Sequence, residues 1–254
     1  MIMKLMCAGC VCLVNPVPRK KLRFLSAQVG GRDGPATASG TRCNPIRCRG
    51  RWIMRKRSQD ASPTAVVAWY RQDGARFLRQ LGVSSGDRVL DFGCGMGGYA
   101  IPLAQVVGSD GKVLAVDNNP THLEALRARL AEELDRNVVD VHLTEGDLAL
   151  AWIADHFLDG VLLFDVLQFV FDWDRLFSTL RRLLKPKGLV FINPSHLSHP
   201  GEVDVKRLKE RMKDHGFVLE RTKRALVMHY DFLSEEEILV FRAADRPLTF
   251  LQKQ

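Results

Sequence analysis

Hydrophobic positions change their pattern near residue 60. Upstream, apolar residues recur with neither helical nor alternating spacing, and Gly30-Gly31, Gly34-Pro35, Gly40, Asn44-Pro45 and Gly50 interrupt the short runs. Downstream, apolar runs alternate with amphipathic stretches. Ser62-Pro63 starts a helix whose apolar positions recur to Leu81, with Gly82 as its stop. Residues 88–92 read as a short strand entering a glycine-rich turn, and residues 113–117 as a second strand entered by Ser109-Asp110-Gly111. Pro120 opens a helix with Leu123, Leu126, Leu130 and Leu134 on one face. Residues 138–144 and 160–164 read as the third and fourth strands. Leu176, Phe177, Leu180, Leu183 and Leu184 then form a helical stripe stopped by Lys185-Pro186-Lys187-Gly188, and residues 189–192 are a fifth strand.

The end of the chain departs from that alternation. Val203, Val205, Leu208 and Met212 mark a helix ending at Gly216. Two strands follow, 217 to about 224 and 238 to about 243, with a loop between them. Near-continuous apolar strands alternating with helices predict a parallel sheet covered on both faces. The expected fold is therefore α/β: a seven-stranded, mostly parallel sheet with an antiparallel edge hairpin. The expected organisation is a basic, Cys-rich extension (1–59), one domain (60–244) and a short tail (245–254).

Charge and cysteine sharpen that boundary. The 254-residue chain carries a net +8, yet residues 1–62 hold 13 Lys and Arg against Asp33 and Asp60, so the remainder is mildly acidic. Of six cysteines only Cys94 lies in the body, which argues against a disulfide framework, and the acidic body argues against a nucleic-acid groove. No apolar run approaches the ~18 residues of a membrane span. The basic extension is expected to be a disordered tail, with Met54 as a candidate true start. Three other readings compete: an organellar transit peptide, a basic tether for RNA or an anionic surface, and a zinc site. Cys7, Cys10, Cys12, Cys43 and Cys48 would form that zinc site, but their spacing matches no paired knuckle. The expected location is the cytoplasm, with organellar targeting as the alternative.

The sharpest local feature is Val89-Leu90-Asp91-Phe92-Gly93-Cys94-Gly95-Met96-Gly97-Gly98. Its glycines allow a tight turn and close approach to a ligand, and ligands bind beyond the carboxyl ends of strands in such sheets. Gly93, Gly95 and Gly98 also satisfy the dinucleotide pattern G-x-G-x-x-G, weak on its own. Asp91 opposes a nicotinamide enzyme, because a carboxylate at the strand end is a poor neighbour for a pyrophosphate. The chain also lacks room for a substrate domain and any Tyr-x3-Lys pair. Asp117 can accept hydrogen bonds from ribose hydroxyls under either reading.

Residues 89–104, then Gly111-Lys112-Val113-Leu114-Ala115-Val116-Asp117, then Leu183-Leu184-Lys185-Pro186-Lys187-Gly188 resemble the class I S-adenosylmethionine-dependent methyltransferases, and Gly216-Phe217 with two strands resembles that family's closing hairpin. Among subgroups the chain is loosely similar to small-molecule methyltransferases of the quinone-biosynthesis type. The family usually has Gly where Lys187 stands. The resemblance implies a Rossmann-like core with S-adenosyl-L-methionine as cofactor. Asp91, Gly93 and Gly95 would hold its methionine portion, Asp117 its ribose, and Asn118 would lie beside the adenine. Asp147, with Leu148, would contact the adenine amino group, and Phe164 and Asp165 would line the transfer site.

Methyl transfer from a sulfonium is an in-line displacement in which alignment supplies most of the rate, and a base is needed only where the nucleophile loses a proton. Candidate bases or substrate contacts are His196 and His199 after the fifth strand and His229 and Tyr230 in the loop after the sixth. His196-x2-His199 lacks a Cys or carboxylate partner, so no metal is expected. The fourth-strand exit, Phe164-Asp165-Val166-Leu167, lacks the Asn/Asp-Pro-Pro-aromatic run of enzymes that methylate DNA bases. The expected acceptor is a small molecule. Two rivals stand beside this reading: a nicotinamide-dependent oxidoreductase, and a non-catalytic binding protein on the same scaffold.

Overall fold

A strand covered on both faces needs apolar residues at successive positions, and the central strands supply them. Strands β1 (Arg88–Phe92), β2 (Lys112–Asp117), β3 (Val139–Leu143), β4 (Leu158–Leu163) and β5 (Leu184–Ile192) run parallel, and β6 (Phe217–His229) and β7 (Phe232–Ala243) close the sheet as an antiparallel pair. The strand order is β3-β2-β1-β4-β5-β7-β6. The computed structural model describes residues 63–133, 138–144, 150–194, 205–230 and 232–245. The expectations for residues 1–59 and for the tail beyond residue 245 lie outside the described residues.

Side chains alternate between two cores. Val89, Val113, Leu162 and Val240 face one side, with Leu78, Ile101 and Leu126 from the helices α2 (Gly74–Leu81), α3 (Ala100–Val107) and α4 (Pro120–Glu133). Leu90, Leu114, Val161 and Leu239 face the other, with Phe177 and Leu208 from α5 (Trp173–Leu183) and α6 (Val205–Asp214). Local signals set the helix ends. The Asn119 side chain accepts from Thr121 N–H at 3.0 Å ahead of Pro120, Asp172 accepts from Arg175 N–H at 2.9 Å, and Gly82 at φ +105° ends α2. No helix among the described residues is long and apolar enough to cross a membrane.

Three elements differ from the sequence reading. The helix expected up to Leu81 is split into α1 (Pro63–Ala68) and α2 by a π turn at Trp69–Asp73. Gly74 there lies so close to α3 that a Cβ would sit 2.7 Å from Pro102 Cγ. The segment expected to stop α5 is instead the start of β5, whose pairing jumps from Leu158↔Leu184 to Gly160↔Leu189. The loop expected between residues 224 and 238 is continuous hairpin, paired from Phe217↔Ala243 to His229↔Phe232. That part of the hairpin extends past the rungs shared with β5, so it needs few apolar residues, and Glu235-Glu236-Glu237 hid it from a pattern search.

Lys187 sits in the bulge of β5 at φ +68°, where a Cβ costs about 1–2 kcal/mol. Lys187→Gly relieves that cost while adding unfolded-state entropy. The expected net gain is about 0.5–1 kcal/mol, read as a melting temperature about 1–4 °C higher by calorimetry.

Candidate active site

The site begins with a turn whose amides have fixed partners. Gly93 and Cys94 both donate their N–H groups to Val116 O at 2.9 Å, and Gly95 N–H donates to Asp117 Oδ2 at 2.8 Å. Gly93 has φ +80°, and a Cβ there would lie 2.6 Å from Val166 Cγ2, so the exit of β4 packs directly on the turn. A Cβ on Gly95 would meet nothing within 4 Å. Beyond the carboxyl ends of β1, β2 and β4 lies a cleft of about 360 Å³, lined by Gly93, Gly95, Asp117, Asn118, Phe164 and Asp165 among others. The structure thus brings together six of the expected cofactor residues. Asp147 and Leu148, and the candidate bases His196 and His199, lie outside the described residues.

Two carboxylates, Asp117 and Asp165, line this cleft, and a third, Asp91, is buried on the strand that leads into its glycine turn. Asp91 is 3% exposed and its Oδ2 has no hydrogen-bond partner. Burial, then the charge of Asp117, push its pKa up to about 7, against one opposing bond from the Ala100 amide. Asp117 accepts from Gly95 N–H through Oδ2 and from Asn119 N–H through Oδ1, both at 2.8 Å. It therefore braces the turn as well as facing the cleft. Asp165 sits at φ +52° with its Oδ2 2.5 Å from His229 Nδ1.

His229 does not lie in a loop as expected. It ends β6, is 3% exposed, stacks on Phe232 with ring centroids 5.1 Å apart, and points its Nδ1 at Asp165. Tyr230, which follows it, does line the cleft. The ionisable pair at this end is Asp165–His229, with Asp165 the member on the cleft wall.

Sequence reasoning missed Tyr70 and His122, which line the cleft together with Met228 from the segment expected at this edge. Tyr70 lies in the π turn, and its hydroxyl accepts from Arg129 Nη1 at 2.7 Å. Nothing local announces it, because the π turn itself was not legible. His122 follows Asp117 by five residues on the first turn of α4, a place that the predicted helix start could have flagged; its Nδ1 is 3.5 Å from Asp117 Oδ1. Tyr99 donates to Met228 O at 2.9 Å and accepts from Met228 N–H at 3.0 Å. Burial, then the nearby Asp165 charge, hold its hydroxyl well above the usual phenol range, so it stays protonated as a strut. Tyr99 packs edge-on to Phe164 at 4.7 Å and to Trp69 at 5.6 Å, and Trp69 Nε1 donates to Gly98 O at 2.8 Å. Among the described residues no group of His, Cys, Asp or Glu could hold a metal ion.

The raised pKa of Asp91 has a defined sign. The folded state holds this proton more tightly than the unfolded chain, whose value is near 3.8, so the group's contribution to stability falls as pH rises through about 7. Asp91→Asn removes the dependence. Relative to the parent, the variant is expected to gain stability from pH 4 to 7 and then level off, by about 2–4 kcal/mol in total. Urea unfolding at pH 4, 5.5, 7 and 8.5 measures this, and a constant difference would contradict it.

Comparison with known proteins agrees with this geometry. Residues 89–188 match the family described as a methyltransferase domain. A demethylmenaquinone methyltransferase of Lactococcus lactis is 30% identical over 139 residues, covering 54% of each chain. One from Lactobacillus johnsonii is 32% identical over 130 residues, covering 50% of this chain and 52% of its own. The chain thus spans about half the length of these curated relatives. In fold, it is similar to a SAM-dependent methyltransferase of Aquifex aeolicus, with a TM-score of 0.55, 18% identity, and coverage of 72% of this chain and 99% of that one. The cyclase SpnF shares the fold with a TM-score of 0.53 and 15% identity, covering 67% of this chain and 80% of its own. Residues 89–188 are thus similar to a methyltransferase domain, the seven-stranded sheet shares its fold with S-adenosylmethionine-dependent methyltransferases, and S-adenosylmethionine is the cofactor this likeness implies.

Proposed function

We propose that the chain transfers a methyl group from S-adenosylmethionine to a small, largely apolar ring acceptor. The observation that carries this reading is the buried, unpartnered Oδ2 of Asp91 beneath the glycine turn, with Asp117 at the neighbouring strand end. A buried carboxylate oxygen without a donor is costly unless a cation or donor arrives, and the cofactor's ammonium meets that need. The same carboxylates repel a pyrophosphate, which disfavours the nicotinamide reading. Asp91, Gly93 and Gly95 would hold the methionine portion, Asp117 the ribose, and Asn118 the adenine side, with Asp147 and Leu148 assigned to the adenine amino group by resemblance alone. When bound, the cofactor supplies a methyl group already activated on a sulfonium.

The chain's own part is to position the acceptor and take its proton. Phe164, Phe169, Val166 and Val170 give the β4 side of the cleft an apolar wall suited to a flat ring. Asp165 is the proton acceptor on that wall, and His229 is a positioning residue that orients its carboxylate. The relatives named demethylmenaquinone methyltransferases support a ring acceptor. The methyltransferase unit spans residues 60–244, with 1–59 an extension to it and 245–254 a tail.

Calorimetric titration with S-adenosylhomocysteine tests the cofactor: micromolar binding is expected, lost in Asp117→Ala, with no heat from NADH. No binding by folded protein would overturn the reading. Asp165→Asn is expected to lower methyl transfer to phenol or hydroquinone acceptors by about 10²–10⁴-fold while S-adenosylhomocysteine affinity stays within about twofold of the parent. An undiminished rate would remove Asp165 as the base.

A further inference from the structure

The β6–β7 hairpin is longer than the sheet requires. Its last rung beside β5 is Ile192↔Leu239, yet β6 and β7 go on pairing from Lys223↔Ile238 to His229↔Phe232. Two buried contacts hold this overhanging arm: both backbone polar groups of Met228 bond the Tyr99 hydroxyl, and the His229 ring meets Asp165. The arm therefore delivers Tyr230 to the cleft at a set place.

Tyr230 is a poor choice for folding alone. Its φ is +45°, in a hairpin turn that favours Gly, Asn or Asp, and the residue is 64% exposed. A bulky residue held in a strained conformation without burial gains little stability there, and strain of this kind concentrates at ligand sites. Its ring lines the cleft and stands edge-on to the His122 ring, centroids 6.3 Å apart. His122 lines the same cleft from the first turn of α4, its Nδ1 3.5 Å from Asp117 Oδ1. The two rings thus meet at the cleft, with His122 beside the carboxylate assigned to the ribose.

We propose that Tyr230 and His122 form a two-sided cap on the nucleoside portion of the cofactor, Tyr230 covering the purine with its ring and His122 adding a hydrogen-bonding nitrogen beside Asp117. This rests on the cofactor reading above. It moves Tyr230 from catalysis to cofactor retention, and it explains why the arm extends beyond the sheet.

The test is titration with S-adenosylhomocysteine and with 5′-methylthioadenosine, paired with thermal melts. Tyr230→Asn is expected to bind both ligands roughly tenfold more weakly, the loss of one aromatic contact with its buried area. Its melting temperature should stay level or rise, because Asn tolerates the backbone better. Tyr230→Phe should recover most of the affinity, and His122→Ala should weaken both ligands in the same direction. Unchanged affinity in Tyr230→Asn, or a fall in affinity matched by a fall in melting temperature, overturns the cap. A parent protein that binds neither ligand defeats the cofactor reading and the cap together. A parent that binds, loses binding in Asp117→Ala, and is indifferent to Tyr230→Asn defeats the cap alone.

Discussion

Three consecutive amides, those of Gly93, Cys94 and Gly95, end on acceptors at the carboxyl end of β2: Val116 O twice, then Asp117 Oδ2. The rest of the site depends on this arrangement. Buried backbone donors must be paired, and these are paired only when β1 and β2 lie side by side in parallel register. The turn then has one conformation, with left-handed glycines, and Val166 from the neighbouring β4 can pack against Gly93. Strand order thus becomes site geometry. The cleft opens where β2, β1 and β4 stand next to one another and three different connections leave the sheet.

Electrostatics follows from that geometry. Asp91 lies below the turn without a counter-charge, Asp117 is braced by two amides, and Asp165 is paired with His229. Each carboxylate would be costly to bury alone. Amides stabilise Asp117 and an imidazole stabilises Asp165, while Asp91 keeps one oxygen unpartnered and its pKa near 7. Binding a cation there stabilises the charged form and displaces a proton near neutral pH.

Aromatic packing supplies the rigidity that the polar groups need. Trp69, Phe77, Tyr99 and Phe164 interlock beneath the cleft, joining the amino-terminal helices, the glycine turn and the exit of β4. Tyr99 extends this cluster to the hairpin through its bonds to Met228. The hairpin arm can overhang the sheet because it is anchored at this point, and it brings His229 to the Asp165 carboxylate. Lys187 is a further left-handed residue, at φ +68° in the bulge of β5, and it does not line the cleft.

Much of the fold was legible in the residues. Parallel strands buried on both faces read as apolar runs, Pro120 and Gly82 marked helix ends, and the glycine turn between an apolar strand and a helix marked the cleft. Asp91 and Asp117 stood out because a carboxylate ending an apolar strand needs a partner. The π turn, the long hairpin and the Asp165–His229 pair were not legible. An extra residue in a helix leaves no periodic trace, a solvent-facing ladder needs no apolar alternation, and residues 64 positions apart meet only when the chain has folded. By itself the sequence determined the sheet and marked the edge where Asp91, Asp117 and the glycine turn stand, because these follow from local pattern and from the cost of burying a carboxylate. Tertiary structure alone decided that Tyr70 and His122 join the side chains at that edge, because they reach the cleft from two elements whose packing no single stretch of sequence specifies.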